Sequence, residues 1–480
     1  MTIELTRQQL REVVRGKCTE SSVNSVFRGA EFDSRNISGG ELFVALAGEA
    51  THGHRFLGDV FSRGASLALV EDEKLLASSE DKDSLVLVAD TLEAWKTLGN
   101  WWRNQFDVPL LGITGSVGKT TIKEMSAAIL LAHSLGTYSV KSYNNNVGLP
   151  YCLLKLSSEH HWIVQEMGMN APGEMRELTK IAQPDVAVIS NIRRAHVESF
   201  SSIDDIADAK LEILDGLSQE GILIIPSDDE VLHRRLKASG FGGKVETFGL
   251  STTDAAQVRE CHVSDKGTLQ FVLVLDGKEQ EITMHALGEH NALNAACAAL
   301  AAKRLLPEIS LESIASGLRS FRPPSKRLEI RRLTGGRLIV DDSYNANSAS
   351  MKAAFQAVSD LRTEGKKLGL VLGDMLELGD STEEEHREVG EAAMTIAPDF
   401  IIGVGEYAHL LVASAKEANV PYFTVESAVA AAQVARKLPF DLLLVKASRG
   451  TALDKTVSSL LEWEGEELPA EAVAFRVKDR

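Results

Sequence analysis

The sequence predicts an α/β chain of three domains. These are a small N-terminal α/β domain over residues 1–103, a central doubly wound domain over 104–322 and a C-terminal Rossmann-like α/β domain over 323–480. Three observations predict this. The 480 residues exceed what one hydrophobic core holds. Short apolar runs recur with enough chain between them for a crossover helix, the pattern of parallel sheets. Finally, Gly115-Ser116-Val117-Gly118-Lys119-Thr120-Thr121 stands between a buried-strand pattern and a helical one, the setting of a phosphate-binding loop.

Composition sets the outer limits. With 44% hydrophobic and 25% charged residues the chain reads as an ordinary globular protein, and no apolar run approaches the roughly 20 residues of a membrane helix. Membrane insertion is not expected. Met1 to Arg7 carries an early acid and lacks a basic segment followed by an apolar stretch, so the expected location is the cytoplasm. Cys18, Cys152, Cys261 and Cys297 lie far apart without a Cys-x-x-Cys pair, which favours small buried side chains over a disulfide framework or a zinc site. A formal net charge of -17 repels polyanions, so no nucleic-acid partner is expected, and any anionic substrate needs a focused positive pocket.

In the first domain the strand candidates are Glu41 to Leu46 and Ala65 to Val70, with the polar stretch Thr51-His52-Gly53-His54 between them and Asp33-Ser34-Arg35 ahead. A helical stretch near Leu92 to Trp102 leads to Val108–Thr114, a buried strand entering the glycine loop. Further strand candidates follow at Trp162 to Val164, Val186 to Ser190 and Ile222 to Pro226. Between Val258 and Met284 the alternation of Leu269 to Val274 predicts antiparallel strands, and the alanine-rich Asn291 to Leu306 predicts a packed helix that closes the middle domain. Pro323 and Pro324 forbid helix continuation and mark the next boundary. Beyond it, Leu338 to Asp342, Leu368 to Gly373 and Leu442 to Val445 are buried-strand candidates alternating with helices, and the acidic stretch from Glu462 reads as a solvated end.

The chemistry begins at the glycine loop. Successive backbone N–H groups and a helix N-terminus face an anion, glycines permit its close approach, and a lysine sets a cation on the terminal phosphates. Gly115, Gly118, Lys119 and Thr120 supply these parts, which makes the central domain P-loop ATPase-like. The common eight-residue pattern requires glycine where Ile113 stands, so the match is to a shorter variant. A hydroxyl after the lysine ligates Mg²⁺ in such loops, and a carboxylate ending a neighbouring strand completes the site. Thr120 and Glu166 fit those places, although an acid after a strand is also a common solvated end. Asn291 and Asn294, three apart, share a helix face, and Asn291 also suits a helix-start cap. Lys210 lies in a helical pattern in which an exposed lysine is the ordinary expectation.

Taken in order, eight motifs resemble the Mur ligase family of three-domain enzymes that build a cell-wall precursor by ATP-driven amide formation. They are Thr114–Thr121, Glu166-Met167-Gly168, Asn191-Ile192 with Ala195-His196, Ala209-Lys210, Gly288–Asn291 with Asn294, Arg327-Leu328-Glu329, Asp342–Asn347 and Lys446–Arg449. Within the family, Asp341–Asn347 with Ser350-Met351, and Gly373–Gly379 with His386, resemble the member that adds D-alanyl-D-alanine to UDP-N-acetylmuramoyl-tripeptide. No Asp-Asn-Pro motif of the diaminopimelate-adding member is present, and Ser348 stands where proline is usual.

The resemblance implies ATP and two Mg²⁺ as cofactors and small-molecule substrates, with a monomer expected. It implies that Gly115, Ser116, Val117, Gly118, Lys119, Thr120 and Thr121 hold the phosphates, with Lys119 on the β- and γ-groups. By the same resemblance Thr120 and Glu166 share one Mg²⁺, and His196, which on its own reads as a surface-loop histidine, helps bind the second. The resemblance also implies that Lys210 reacts with CO₂ to become a carbamate, turning a cation into an anion that supports the metal site. Asn291 and Asn294 face adenine, Arg327 the γ-phosphate and Asp342 the ribose. The resemblance further implies that Ser34 and Arg35 contact the nucleotide-sugar precursor and that Asn145 and Asn146 lie in a loop turned towards it, although a plain polar turn also accounts for the two asparagines, while Tyr344, Asn345, Lys446, Ser448 and Arg449 belong to the amino-substrate side. Two rivals share the loop: a folylpolyglutamate synthase of the same superfamily, and a nucleotide switch. The switch requires Asn-Lys-x-Asp after a strand, where this chain has Asn191-Ile192-Arg193-Arg194.

Overall fold

The computed structural model describes residues 3–20, 24–48, 51–193, 200–264 and 267–463. Among them no helix is long and apolar enough to cross a membrane. The acidic end from 464 lies outside the described residues.

The N-terminal part pairs Glu4–Thr6 antiparallel with Val26–Arg28 and stacks a four-stranded parallel sheet in chain order, Ala30–Glu31, Leu42–Val44, Leu67–Val70 and Leu85–Leu87. Leu42–Val44 and Leu67–Val70 are buried throughout, which is why they read as continuous apolar runs. Helix Thr91–Arg103 starts on Asp90, whose carboxylate accepts from the Leu92 and Glu93 amides. Its Trp95 packs in one core with Leu42 and Leu67 and also with Tyr151 and Cys152 of the next domain.

The central domain is built on a nine-stranded sheet. From one edge, Lys278–Met284, Leu269–Leu275 and Ala256–Val263 run antiparallel to one another, the arrangement predicted from the alternation. Then Lys244–Gly249, Ile222–Pro226, Val186–Ile189, Leu110–Thr114, Ile163–Glu166 and Thr137–Tyr138 follow in parallel. Helix Lys119–Leu131 leaves the glycine loop and packs against the alanine-rich helix Glu289–Leu305. The expectation that this alanine-rich helix closes the domain is corrected by a further helix, Leu311–Ser320. Its Gly317 lies against the Ile129 backbone so closely that a Cβ would clash.

Beyond Pro323 and Pro324 a six-stranded sheet forms the third domain, ordered Glu329–Arg332, Leu338–Asp342, Leu442–Lys446, Leu368–Gly373, Phe400–Val404 and Tyr422–Val425. Its first strand is antiparallel and the others parallel. In a parallel sheet, loops at the carboxyl ends of the strands form the binding crevice. The ends that carry Thr114, Glu166 and Ile189 in the central domain face those that carry Asp342 and Lys446 across one cavity of about 280 Å³.

Candidate active site

The glycine loop takes its shape from positions that a side chain would spoil. Gly115 has φ +139°, and a Cβ there would strike the Ser190 hydroxyl. Gly118 has φ +91°, and a Cβ there would lie 2.9 Å from Asn294 Oδ1. The next strand clamps the loop. The Ser116 amide donates to the Asn191 carbonyl (3.0 Å), the Val117 amide to Asn191 Oδ1 (3.0 Å), and the Val117 carbonyl accepts from Ser190 Oγ (2.6 Å) and Asn191 Nδ2 (3.0 Å). Sequence reasoning gave Ser190 no role and saw in Asn191 only a motif member. A polar pair directly after a buried strand was the available signal.

Lys119 folds back on the loop, donating to the Gly115 (2.8 Å) and Ser116 (3.3 Å) carbonyls. Desolvation lowers its pKa, Glu166 opposes this, and Arg327 adds to it. Thr120 is buried at the same helix start, and Thr121 lines the same cavity.

Glu166 ends its strand at 2% exposure, beside Ile113 in the parallel register. Its Oε1 accepts from Asn144 Nδ2 (2.9 Å), whereas Oε2 is buried with no donor. A buried carboxylate oxygen without a partner is costly unless a cation completes it, so the donor set of Glu166 and Thr120 Oγ1 fits a hard divalent ion. Asn144, which orients Glu166, was not anticipated, because a run of three asparagines does not reveal which one faces inward. His196 lies outside the described residues. Among the described residues no group of three or more His, Cys, Asp or Glu side chains is placed to hold a metal ion by itself.

Lys210 corrects the expectation of an exposed lysine. It is 4% exposed on helix Ile203–Leu211, and it lines a second cavity of about 330 Å³ together with Lys119, Asn145 and Asn146. Burial, reinforced by the Lys119 charge, holds its amine well below the ordinary lysine value. Asn145 Oδ1 is committed to the Val147 (3.2 Å) and Gly148 (2.9 Å) amides, and Asn146 Nδ2 donates to Glu177 Oε2 (3.1 Å). Ser34 and Arg35 sit in the short turn Ser34–Asn36, where Arg35 is exposed and paired with Asp33 at 2.6 Å. Neither lines the cavities around the glycine loop.

Asn291 and Asn294 share a face of helix Glu289–Leu305, as their spacing predicts. The helix-start cap does not hold: the cap position is Gly288, while Asn291 Nδ2 donates to the Leu287 carbonyl (2.8 Å) and its Oδ1 accepts from Asn294 Nδ2 (3.2 Å). Both face the 280 Å³ cavity beside His290, whose imidazole burial pushes down to about 4, so its ring is neutral.

From the third domain, an Arg327 Nη2 reaches Thr120 Oγ1 at 3.3 Å. Asp342 accepts from the Leu328 amide (3.1 Å) and from Lys446 Nζ (2.5 Å), its neighbour in the strand register. Lys446 is 2% exposed and also donates to the Asn345 carbonyl (3.0 Å). The structure therefore places Lys446 in the wall of the 280 Å³ cavity as the partner of Asp342, whereas Ser448 and Arg449 do not line that cavity. Those two line a third cavity of about 320 Å³ with Tyr344 and Asn345, which touches Ser116 and Lys119. Ser448 Oγ accepts from the Leu376 amide (3.0 Å) and donates to the Ala346 carbonyl (3.2 Å), while Arg449 is exposed.

A phosphate loop, a partnerless carboxylate and a facing cation from a second domain, with further cavities on either side, form a site suited to nucleotide phosphates with room for other substrates beside them. Three family models match the chain: Mur ligase family, catalytic domain, over residues 27–96, Mur ligase middle domain over 113–302, and Mur ligase, glutamate ligase domain, over 326–449. The chain is 34% identical to the UDP-N-acetylmuramoyl-tripeptide--D-alanyl-D-alanine ligase of Bacillus subtilis over 96% of its own length and 99% of that protein. A crystal structure of MurF from Acinetobacter baumannii superposes with a TM-score of 0.85 at 30% identity, covering 96% of this chain and 99% of that one. MurF from Thermotoga maritima in complex with ADP shares the fold, with a TM-score of 0.78 at 24% identity over 91% and 97% of the two chains. The chain belongs to the Mur ligase family.

Proposed function

We propose that this chain ligates D-alanyl-D-alanine to UDP-N-acetylmuramoyl-tripeptide with cleavage of ATP to ADP and phosphate, a step of peptidoglycan precursor synthesis in the cytoplasm. The observation that carries the reading is the convergence of Lys119, the partnerless Glu166 Oε2 and Arg327 on one cavity built from two domains.

A carboxylate does not condense with an amine in water, because oxide is a poor leaving group. Transfer of the γ-phosphoryl group to the tripeptide's terminal carboxylate gives an acyl phosphate. The neutral amine of the dipeptide attacks its carbonyl carbon, and the tetrahedral intermediate expels phosphate. Two anions must first meet, so positive groups fixed in advance supply the main catalytic effect. Lys119, the loop amides and Arg327 hold the transferring group, Asn291 and Asn294 face adenine, and Asp342 faces the ribose. Mg²⁺ bound by Thr120 and Glu166 would neutralise phosphate charge, with His196 assigned to a second ion. Burial, with the Lys119 charge nearby, shifts Lys210 towards the neutral amine, the form that reacts with CO₂, which supports the carbamate reading. The nucleotide-sugar precursor enters from Ser34, Arg35, Asn145 and Asn146, and the dipeptide from the cavity that Tyr344, Asn345 and Arg449 line.

The test is phosphate release and product formation with D-alanyl-D-alanine and each of two tripeptide precursors, ending in diaminopimelate or lysine. Turnover with folate and glutamate, and none with either tripeptide, would establish the rival synthase instead.

A further inference from the structure

We propose that Tyr344 is a positioning residue that sets the Arg327 guanidinium over the phosphate loop. Its ring carries the guanidinium, and its hydroxyl fastens that ring to the central domain through Ser142. This rests on the reading of Arg327 as the cation at the γ-phosphate.

The backbone around Arg327 is held under strain. Lys326 (φ +64°) and Leu328 (φ +50°), on either side of it, are both left-handed non-glycine residues, a conformation that persists only where the surroundings impose it. They are imposed upon. The Tyr344 amide donates to the Lys326 carbonyl (3.1 Å), the Leu328 amide to Asp342 Oδ1 (3.1 Å), the Lys326 amide to Glu329 Oε2 (3.1 Å), and Lys326 Nζ to Asp454 Oδ2 (2.8 Å). The guanidinium itself is less constrained, because it ends a long side chain and its hydrogen bond to Thr120 Oγ1 is long, at 3.3 Å. What defines its plane is the Tyr344 ring, whose centroid lies 4.3 Å from the guanidinium carbon, within cation–π range.

The ring is in turn referenced to the central domain. Tyr344 Oη and Ser142 Oγ are 2.9 Å apart. Ser142 follows a segment gripped by Lys123, a fully buried lysine of the phosphate-loop helix that donates to the Ser139 (3.0 Å) and Lys141 (2.7 Å) carbonyls. A continuous chain of contacts thus runs from the phosphate-loop helix through Lys123, the 139–142 segment and Tyr344 to Arg327.

The experiment uses the full chain. Binding of Mg-ADP and of Mg with a non-hydrolysable ATP analogue is measured by calorimetry, alongside kcat and KM, for Arg327→Ala, Tyr344→Leu, Tyr344→Phe, Ser142→Ala and the relevant doubles. In Tyr344→Leu, ADP affinity is expected to stay within about twofold while analogue affinity and kcat fall about tenfold. Adding Tyr344→Leu to Arg327→Ala should cost nothing more in the analogue-to-ADP ratio. Tyr344→Phe and Ser142→Ala should each cost a few-fold in that ratio, and together no more than either alone, since they remove one bond. Equal weakening of ADP and analogue in Tyr344→Leu, no change at all, or additive losses in the hydroxyl pair would overturn the proposal. If Arg327→Ala leaves the ratio unaltered, the γ-phosphate reading falls and this proposal with it. A ratio lost in Arg327→Ala but kept in Tyr344→Leu defeats the proposal alone. Should Tyr344→Leu fail to fold by circular dichroism, the hydroxyl pair and its double decide.

Discussion

Lys119 and Lys210 line one cavity, yet their surroundings ask different things of them. Lys119 lies near Glu166 and donates to two loop carbonyls, so its cation has partners. Lys210 is buried with the Lys119 charge nearby, so its neutral amine is favoured. Lys119→Ala should therefore reduce ATP-dependent ligation by at least about a hundredfold, the scale seen when a preorganised charge is removed from a transferring group. Phosphate release at saturating substrates checks this. Lys210→Ala should also inactivate, but small carboxylic acids such as formate or acetate should partly restore turnover by replacing the anion that a carbamate would supply. Turnover in Lys210→Ala equal to the unsubstituted enzyme would remove the carbamate from the account.

At the scale of elements, the loop from Asp374 to Leu378 joins the strand Leu368–Gly373 to the 320 Å³ cavity that Ser448 and Arg449 line. The fully buried His386 holds it. Nδ1 lies 2.6 Å from the Thr382 carbonyl and so carries the proton, while Nε2 accepts from the Met375 amide at 3.0 Å. Protonation would replace that acceptor with a second donor, and burial duly lowers the pKa. The folded form keeps the neutral ring. As pH falls below the ordinary imidazole value near 6.5, protons bind the unfolded chain first, and stability declines until the lowered folded-state value is passed. The difference in unfolding free energy between the unsubstituted protein and His386→Gln should narrow by up to about 1.4 kcal/mol per pH unit across that window, and stay constant above pH 7.5. Denaturant titrations at pH 5 to 8 measure it. A difference independent of pH would mean that the ring does not titrate with folding.

The same scale separates what the sequence could disclose from what it could not. The glycine loop was legible because its conformation demands glycine and because a buried strand and a helix flank it. Glu166 was legible as a strand end. The burial of Lys210, the pairing of Lys446 with Asp342 and the grip of Asn144 on Glu166 were not. Each depends on which face a helix turns inward or on which parallel strands become neighbours, and local pattern does not encode that. Motif resemblance suggested a role for Lys210 but not its buried environment. For Lys446 it pointed to the neighbouring cavity.

Across the whole molecule the two domain junctions differ in make-up. Beside the phosphate loop the central and C-terminal domains touch through Arg327–Thr120 and Tyr344–Ser142, and away from it Leu287 and Val263 of the central domain pack on the core of the third. The N-terminal and central domains are joined by packing: Trp95 donates to the Val147 carbonyl (2.9 Å), Trp102 to the Leu156 carbonyl (3.0 Å), Lys96 to Glu177 (3.1 Å), and Asn100 to the Ile181 carbonyl (3.0 Å). Helix Thr91–Arg103 meets the helix Gly148–Leu153 at Gly99, where a Cβ would lie 2.7 Å from Pro150 Cβ. The first two domains should therefore behave as one body. Gly99→Val would wedge that body apart without touching the phosphate loop, costing about 1–3 kcal/mol as overpacking does. Because the wedged face continues into Asn145 and Asn146, KM for the nucleotide-sugar precursor should rise several-fold while Kd for ADP stays unchanged. If both rise together, the wedge is transmitted to the loop and the central domain is softer than its packing implies. If neither moves, the junction is not the reference against which the precursor is held.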